Sequence, residues 1–516
     1  MKKFKRAAAV ISACLIAGVS VSALAGCAKK EDTVTLRVCS WEEYIDLGGW
    51  DEEERINIDN PFAEEGAGIF GENSMVDDFT EWFNSNPNYD FKVKVEYSTF
   101  GTNEDLYNRL SLGDVYDLVC PSDYMLMKLI AEDNYVPYSE GFLDTEVEEN
   151  YYAKYVSRYI DGEEGSIFCD YGWNGVAACY MLGTTGLVYN PEKLVDESDV
   201  STWAMLLNGD YNRQVTIKDN VRDAYFSTLG IIHSEELKSD ISAERRSEIL
   251  NNTDDRIIAA AEDVLKRIKD NAYSFETDSG KADMVTGKVV ANLQWSGDAV
   301  YIMDEAEADG TELWYSSPDE GSNLWFDGWL KLKNGVKWTN ERHEAAEAFV
   351  NFLSRPDNAV RNMHYIGYTS SVAGDVVFDY MDWNYGAEED AEETFEYDLS
   401  YFFGEGYSLT ADTVNFQFED EAHTVINRGR QLFAQYPPSN VIERSVVMLD
   451  FGERLADING MWINVRCLDV KDMSPVTAAI VFAVIAVIAG AVLLYVYRYK
   501  LFIKSRPKKG YEKVDS

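Results

Sequence analysis

The sequence predicts an α/β protein followed by a C-terminal transmembrane helix, and three observations carry that expectation. Across residues 33–466, short apolar runs alternate with stretches of helical periodicity, the pattern of parallel strands joined by helices. Residues 476–497 carry no charge, and about 20 such residues suffice to cross ~30 Å of hydrocarbon. The chain has 516 residues, 46% of them hydrophobic. That is long enough for two or more domains with real cores and too apolar for wholesale disorder.

At the N-terminus, Lys2, Lys3, Lys5 and Arg6 precede an apolar run over residues 7–25, which reads as a secretory signal. The run ends in Leu24-Ala25-Gly26-Cys27, which resembles the bacterial lipobox. The resemblance implies that residues 1–26 are a lipoprotein signal peptide and that Cys27 carries a diacylglyceryl group. The body then begins with a strand over 34–39 that leads into Ser40-Trp41-Glu42-Glu43-Tyr44. A second strand at 91–97 alternates Val93, Val95 and Tyr97, and a third lies at 116–120. Pro121-Ser122 opens a helix with Met125, Leu126, Leu129 and Ile130 at helical spacing. Further strands are expected at 214–217, 289–294 and 313–316. Residues 341–353 form an amphipathic helix through Ala345, Ala346, Phe349, Val350 and Leu353, stopped by Pro356.

Two stretches break this rhythm. Residues 47–80 are rich in glycine and acid, and residues 375–421 mix acids with aromatics such as Tyr380, Trp383, Tyr397 and Phe402. Both read as surface insertions, and the second has enough aromatic side chains to pack as a subdomain. After 476–497 come Arg498, Lys500, Lys504, Arg506, Lys508 and Lys509. A basic flank stays inside, so 498–516 is expected as a cytoplasmic tail, with the acidic body outside the cell membrane.

Charge and motifs exclude several functions. The chain holds 46 Lys+Arg against 90 Asp+Glu, a formal charge of −44, so a nucleic-acid partner is excluded as polyanion against polyanion. Once Cys14 leaves with the signal and Cys27 takes lipid, Cys39, Cys120, Cys169, Cys179 and Cys467 remain, with no CxxC among them. These are expected as buried free thiols rather than a disulfide framework or a metal site. The four His residues form no HExxH, and GxSxG, Walker A and GxGxxG are all absent. Acid pairs such as Asp254-Asp255 arise by chance among 90 acids. No enzyme, cofactor or metal is expected.

What recurs is an aromatic beside an acid at predicted strand ends: Trp41-Glu42-Glu43-Tyr44, Ser122-Asp123-Tyr124, Trp295-Ser296-Gly297-Asp298 and Trp325-Phe326-Asp327. Strand ends in parallel sheets open into a crevice where ligands bind. An aliphatic polycation needs this combination, since its ammonium groups seek carboxylates and π-faces while its methylenes seek flat apolar walls. A cation–π contact contributes about 0.5–2 kcal/mol and a charge-assisted hydrogen bond about 1.5–3 kcal/mol. Three or four such contacts support binding near micromolar after the cost of association.

At these residues the sequence resembles the spermidine/putrescine-binding proteins of ABC importers. The resemblance rests on Val38 to Asp46, Tyr116 to Tyr124, Gly183 to Asn190, Asp219 to Asp223, Trp295 to Ala299, Leu324 to Asp327 and Tyr365 to Thr369, in the family's order. It implies a two-lobed periplasmic-binding-protein (type II) fold with crossover strands near Thr185, Phe326 and Val372. One lobe would be 33–185 plus 326–372 and the other 186–325 plus 373–466. It further implies an aromatic box of Trp41, Tyr44, Tyr124, Trp295, Trp325 and Tyr368, with Asp327 holding a central amine, Asp223 a terminal one, and Ser122 and Thr277 adding polar contacts. The partners implied are a polyamine and ABC permease subunits. One departure stands out: the family often carries a second acid where this chain has Asn220, which accepts a hydrogen bond but supplies no charge. That keeps open capture of another organic amine or a metal complex. A membrane-tethered sensor or adhesion protein that has lost transport also stays open.

Overall fold

The computed structural model describes residues 33–467, apart from 163–164, 278 and 420–422, together with the isolated positions Ala483, Val487, Gly490 and Tyr495. The expected signal peptide and the Cys27 lipid site lie outside the described residues.

Among the described residues, nine of the twelve strands of the main sheet build the frame: β1 (Thr33–Trp41), β2 (Lys92–Phe100), β3 (Leu118–Val119), β4 (Ala177–Tyr189), β5 (Val215–Lys218), β6 (Ser274–Glu276), β7 (Ala291–Trp295), β8 (Trp314–Ser316) and β9 (Leu324–Lys331). β1 runs parallel to β2 and β3, and the helices Met75–Ser85 and Asn103–Leu112 lie between them in sequence. β5 runs parallel to β6 and β7, with the helices Val221–Ile232 and Asp255–Asn271 between β5 and β6. Parallel strands need such crossovers, which explains the alternation seen in the sequence.

β4 unites the two groups. From Ala177 to Thr184 it pairs antiparallel with β9, and from Thr185 to Tyr189 it pairs with β7 and then β8. All 13 of its residues are buried. The first group, β2-β1-β3-β9-β4, packs the helices Met75–Ser85 and Asn340–Leu353 around Phe79, Phe83, Val350 and Trp329. The second centres on Trp203, Ile217, Leu265 and Leu293. The result is a two-lobed mixed α/β fold.

Local expectations compare closely with the elements found, and the differences have reasons. The strand at 91–97 runs on to Phe100, and that at 214–217 extends to Lys218. Pro356 ends the helix Asn340–Leu353 and also opens the next one, Pro356–Ile366, as its first residue, where a missing N–H costs nothing. Within the expected insertion 375–421, the described residues 375–419 pack tightly: Tyr380, Tyr397, Leu399, Phe402 and Leu409 are buried, and Thr394–Asp398 pairs antiparallel with Ser408–Asp412. Cys39, Cys120 and Cys179 are buried free thiols as expected, whereas Cys169 and Cys467 are exposed.

The transmembrane expectation is corrected. Among the described residues no helix is long and apolar enough to cross a membrane. The longest described helix, Asp255–Asn271, has 17 residues and alternates charged and apolar faces, against the ~20 apolar residues a span requires. Residues 476–497 lie outside the described residues except for the four isolated positions, and 498–516 lie wholly outside them. The cytoplasmic placement of that tail loses its basis with the helix.

Candidate functional site

Strand ends deliver the candidate residues to one seam. Trp41 closes β1 and Tyr44 follows it. Ser122 follows β3 and is the residue before the helix Asp123–Ala131, its side chain making no capping hydrogen bond. Lys218 ends β5, Glu276 ends β6 and Trp295 ends β7. Opposite β4, Trp325 stands against Gly183 and Trp295 against Thr185. Residues two apart on a strand share a face, so the ends of β9 and β7 meet where β4 passes between the lobes. Gly183 is what makes the approach close, because a Cβ there would lie 2.3 Å from Ser296 Oγ and 2.4 Å from the Trp325 ring.

Asp327 is the focus of one end. The Tyr44 hydroxyl donates to its Oδ2 at 2.5 Å, Ser122 bridges to it across the backbone, and Oδ1 is buried with no hydrogen-bond partner. Burial pushes this carboxyl up to about 6, against the hydrogen bonds from Ser122 and Tyr44 that hold it down. Around it, the Tyr44 and Tyr368 rings meet edge to face at 5.2 Å, and the Trp325 ring lies 5.6 Å from Tyr368. Asp123 sits alongside, its carboxylate accepting from the Tyr124 and Phe326 amides at 2.6 and 3.4 Å. Burial raises it to about 8, so at neutral pH it is an uncharged acid.

Asp223 is the focus of the other end. Trp295 Nε1 donates to its Oδ2 at 3.2 Å. Burial raises it to about 6, opposed by the nearby Lys218 and Arg222 charges and that indole N–H. The two ends are linked through Asp298, which accepts from the Tyr368 hydroxyl at 3.1 Å and from Lys218 at 3.3 Å. Burial alone would raise Asp298, but Lys218, Lys281 and Tyr368 outweigh it and hold the carboxyl below its ordinary range.

The structure thus draws Tyr44, Ser122, Trp325, Asp327 and Tyr368 together at one end and Tyr124, Asp223 and Trp295 at the other. Trp41 packs against Phe100, their ring centres 4.8 Å apart and their planes tilted by 52°. Two expected residues are differently employed. Asn220 caps the helix Val221–Ile232, its side-chain oxygen accepting from the Arg222 amide at 2.8 Å. The Thr277 residue is exposed, and it is its carbonyl, not its hydroxyl, that receives Lys218. Sequence reasoning missed Lys218, Arg222 and the chemistry of Asp298. A charged residue ending a buried strand was the available signal for Lys218. Arg222 lays its guanidinium 3.5 Å from the Tyr124 ring centre and pairs with Asp450 at 3.2 Å. Among the described residues no cluster of His, Cys, Asp and Glu is arranged to hold a metal ion.

Two cavities, of about 440 and 490 Å³, lie away from this seam, one lined by Arg55, Phe70, Trp82 and Arg361 and the other by Lys238, Arg246, Asp319 and Arg444. The guanidiniums of the first, Arg55, Arg355 and Arg361, are already paired with Glu52, Asp357, Asp46 and Asp78.

Two α/β lobes joined through a shared strand, with an aromatic and acidic seam where they meet, are the build of a solute-binding protein. Residues 74–376 match the bacterial extracellular solute-binding protein family, and the chain belongs to that family. It is similar to the spermidine/putrescine-binding periplasmic protein of Salmonella typhimurium, 27% identical over 278 residues, covering 54% of this chain and 70% of the relative. It is also similar to the putrescine-binding periplasmic protein SpuD of Pseudomonas aeruginosa, 25% identical over 278 residues, covering 51% and 68%. Among solved structures, the spermidine/putrescine ABC transporter substrate-binding protein PotD of Streptococcus pneumoniae shares the fold with a TM-score of 0.52 at 21% identity, covering 84% of this chain and 98% of that one. The TpPotD lipoprotein of Treponema pallidum does so at 0.53 and 15%, covering 84% and 99%.

Proposed function

We propose that this chain is the extracytoplasmic substrate-binding component of an ABC importer and captures polyamines between its lobes. The observation that carries the reading is Asp327: a buried carboxylate, ionised at neutral pH, with one oxygen unpartnered and aromatic rings around it. An ammonium group supplies the missing hydrogen bonds and the counter-charge, while Tyr44, Trp325 and Tyr368 offer ring faces and edges to it and to the methylenes beside it. In this reading Asp223 receives a second ammonium, and Trp41, Ser122, Tyr124 and Trp295 complete the walls, with Asn220 and Thr277 at the margin. The lobes are taken as 33–185 plus 326–372 and 186–325 plus 373–466. Closure of one on the other would present the loaded face to ABC permease subunits. The relatives named for spermidine and putrescine support this reading.

Cys27 is proposed as the lipid attachment site, on the lipobox pattern before it. Incorporation of labelled fatty acid into the wild type, and its loss in Cys27→Ser, tests this. The test of function is calorimetric titration of the purified protein with putrescine and spermidine at moderate salt. One-to-one binding near micromolar, abolished by changing Asp327, is expected. Absence of heat with both amines sinks the polyamine reading and leaves the fold untouched.

A further inference from the structure

β5 ends in a lysine, and a buried lysine beside a site for cations has consequences for what the site accepts. The Lys218 side chain is 1% exposed. Its ammonium donates to the Thr277 carbonyl at 2.9 Å, pairs with Asp298 at 3.3 Å and Glu276 at 3.9 Å, and stands 4.3 Å from the centre of the Trp295 ring. A carbonyl, carboxylates and a ring face are the surroundings that an ammonium ligand seeks.

We propose that Lys218 is a specificity-determining residue: its own ammonium takes the seat made by Trp295, Asp298 and Glu276, so the cleft accepts a linear diamine in preference to a triamine. This rests on the polyamine reading above and deepens it. The charges at the site support it. Asp298 and Glu276 are balanced by two cations, Lys218 between them and Lys281 at 3.6 Å from Asp298. Arg222, on Tyr124, is matched by Asp450. Asp123 is an uncharged acid at neutral pH. Among the described residues no Lys or Arg forms an ion pair with Asp327 or Asp223. Glu104, which accepts from the Tyr124 hydroxyl at 3.4 Å, is exposed to solvent, so Asp327 and Asp223 are the two buried carboxylates left for a ligand, and two ammonium groups neutralise them. A third brought to Trp295 meets Lys218, and like charges in a buried site are poorly screened.

The experiment titrates the full-length protein in detergent with 1,3-diaminopropane, putrescine, cadaverine and spermidine, alongside Lys218→Met and the charge-balanced Lys218→Met/Glu276→Gln. The wild type is expected to bind its best diamine at least 10-fold more tightly than spermidine. The spermidine-to-diamine affinity ratio is expected to rise at least 10-fold in both variants. A wild type that binds spermidine as tightly as every diamine overturns the role of Lys218 while leaving polyamine capture standing. So does a ratio that moves less than 3-fold in a double variant melting with the wild type. If both variants unfold, the wild-type series alone decides. A wild type that binds none of the four amines removes the polyamine reading itself, and this proposal with it.

Discussion

The Tyr44 hydroxyl donates a 2.5 Å hydrogen bond to Asp327, across 283 residues of sequence. Tyr44 lies just beyond the end of β1, and Asp327 sits in β9, two strands away through β3. The bond occupies Oδ2 and leaves Oδ1 without a partner. The carboxylate is thus held in place by the protein and left half-satisfied for something else.

Asp327→Asn removes the charge and keeps the shape. A charge-assisted hydrogen bond of about 1.5–3 kcal/mol corresponds to about 10- to 150-fold in affinity, and calorimetry with the preferred amine should register a loss in that range. Tyr44→Phe should cost less in affinity but shift the pH at which binding is half-lost above 6, because the phenol hydrogen bond holds the Asp327 carboxyl down. A wild-type pH midpoint in Tyr44→Phe would mean the phenol does not position that charge.

Binding should weaken in mild acid. Asp327 and Asp223 are both raised by burial to about 6, so each is ionised at pH 7.5 and largely protonated at pH 5. Each protonation costs about 10-fold over that interval, about 100-fold for the pair. Aliphatic amines stay charged throughout, so the change belongs to the protein. A fall of less than 3-fold between pH 7.5 and 5 would show that neither carboxylate meets a cation.

Asp123 makes the opposite kind of pH statement, about stability. Its carboxyl rises from 3.8 to about 8 on folding, so the folded state holds the proton more tightly than the unfolded one. The stability this contributes is full below 3.8 and is lost as pH rises through about 8. The melting temperature of the ligand-free protein should therefore fall between pH 6 and 9, and Asp123→Asn should remove most of that fall. Parallel melting curves for wild type and variant across the range would contradict it.

Gly297 supports Tyr368 from behind. A Cβ at this position would lie 2.2–2.5 Å from the Tyr368 ring, so Gly297→Ala must displace the ring from Tyr44, Trp325 and Asp298. Overpacking of this kind costs about 1–3 kcal/mol, readable in urea unfolding. Amine affinity should fall by at least about 10-fold as the wall opens. Unchanged affinity in a folded Gly297→Ala would mean that Tyr368 does not touch the ligand.

Part of this molecule was readable along the chain. Strands β1, β2, β5, β7 and β8 announce themselves through alternating or continuous apolar residues, and the helix Asn340–Leu353 through its spacing. Those patterns are local, and burial of one face enforces them. β4 was harder to see. Gly183-Thr184-Thr185-Gly186 interrupts its apolar run, yet every residue from Ala177 to Tyr189 is buried. Gly183 and Gly186 are there because Trp325, Ser296 and Tyr315 press against the strand, a requirement set by distant residues.

The same division holds at the site. By itself the sequence determined that an aromatic beside an acid ends or follows β1, β3 and β7, because strand ends and helix starts are local features, whereas Trp325 and Asp327, expected at a strand end, lie inside β9. Only the tertiary structure decided which of those groups answer one another. Lys218 meets Asp298 across 80 residues, Asn220 is spent on a helix cap, and Asp123 is uncharged at neutral pH while Asp327 is ionised. Charge state and pairing depend on burial and on neighbours a few ångströms away in space, and spacing along a chain does not carry that information.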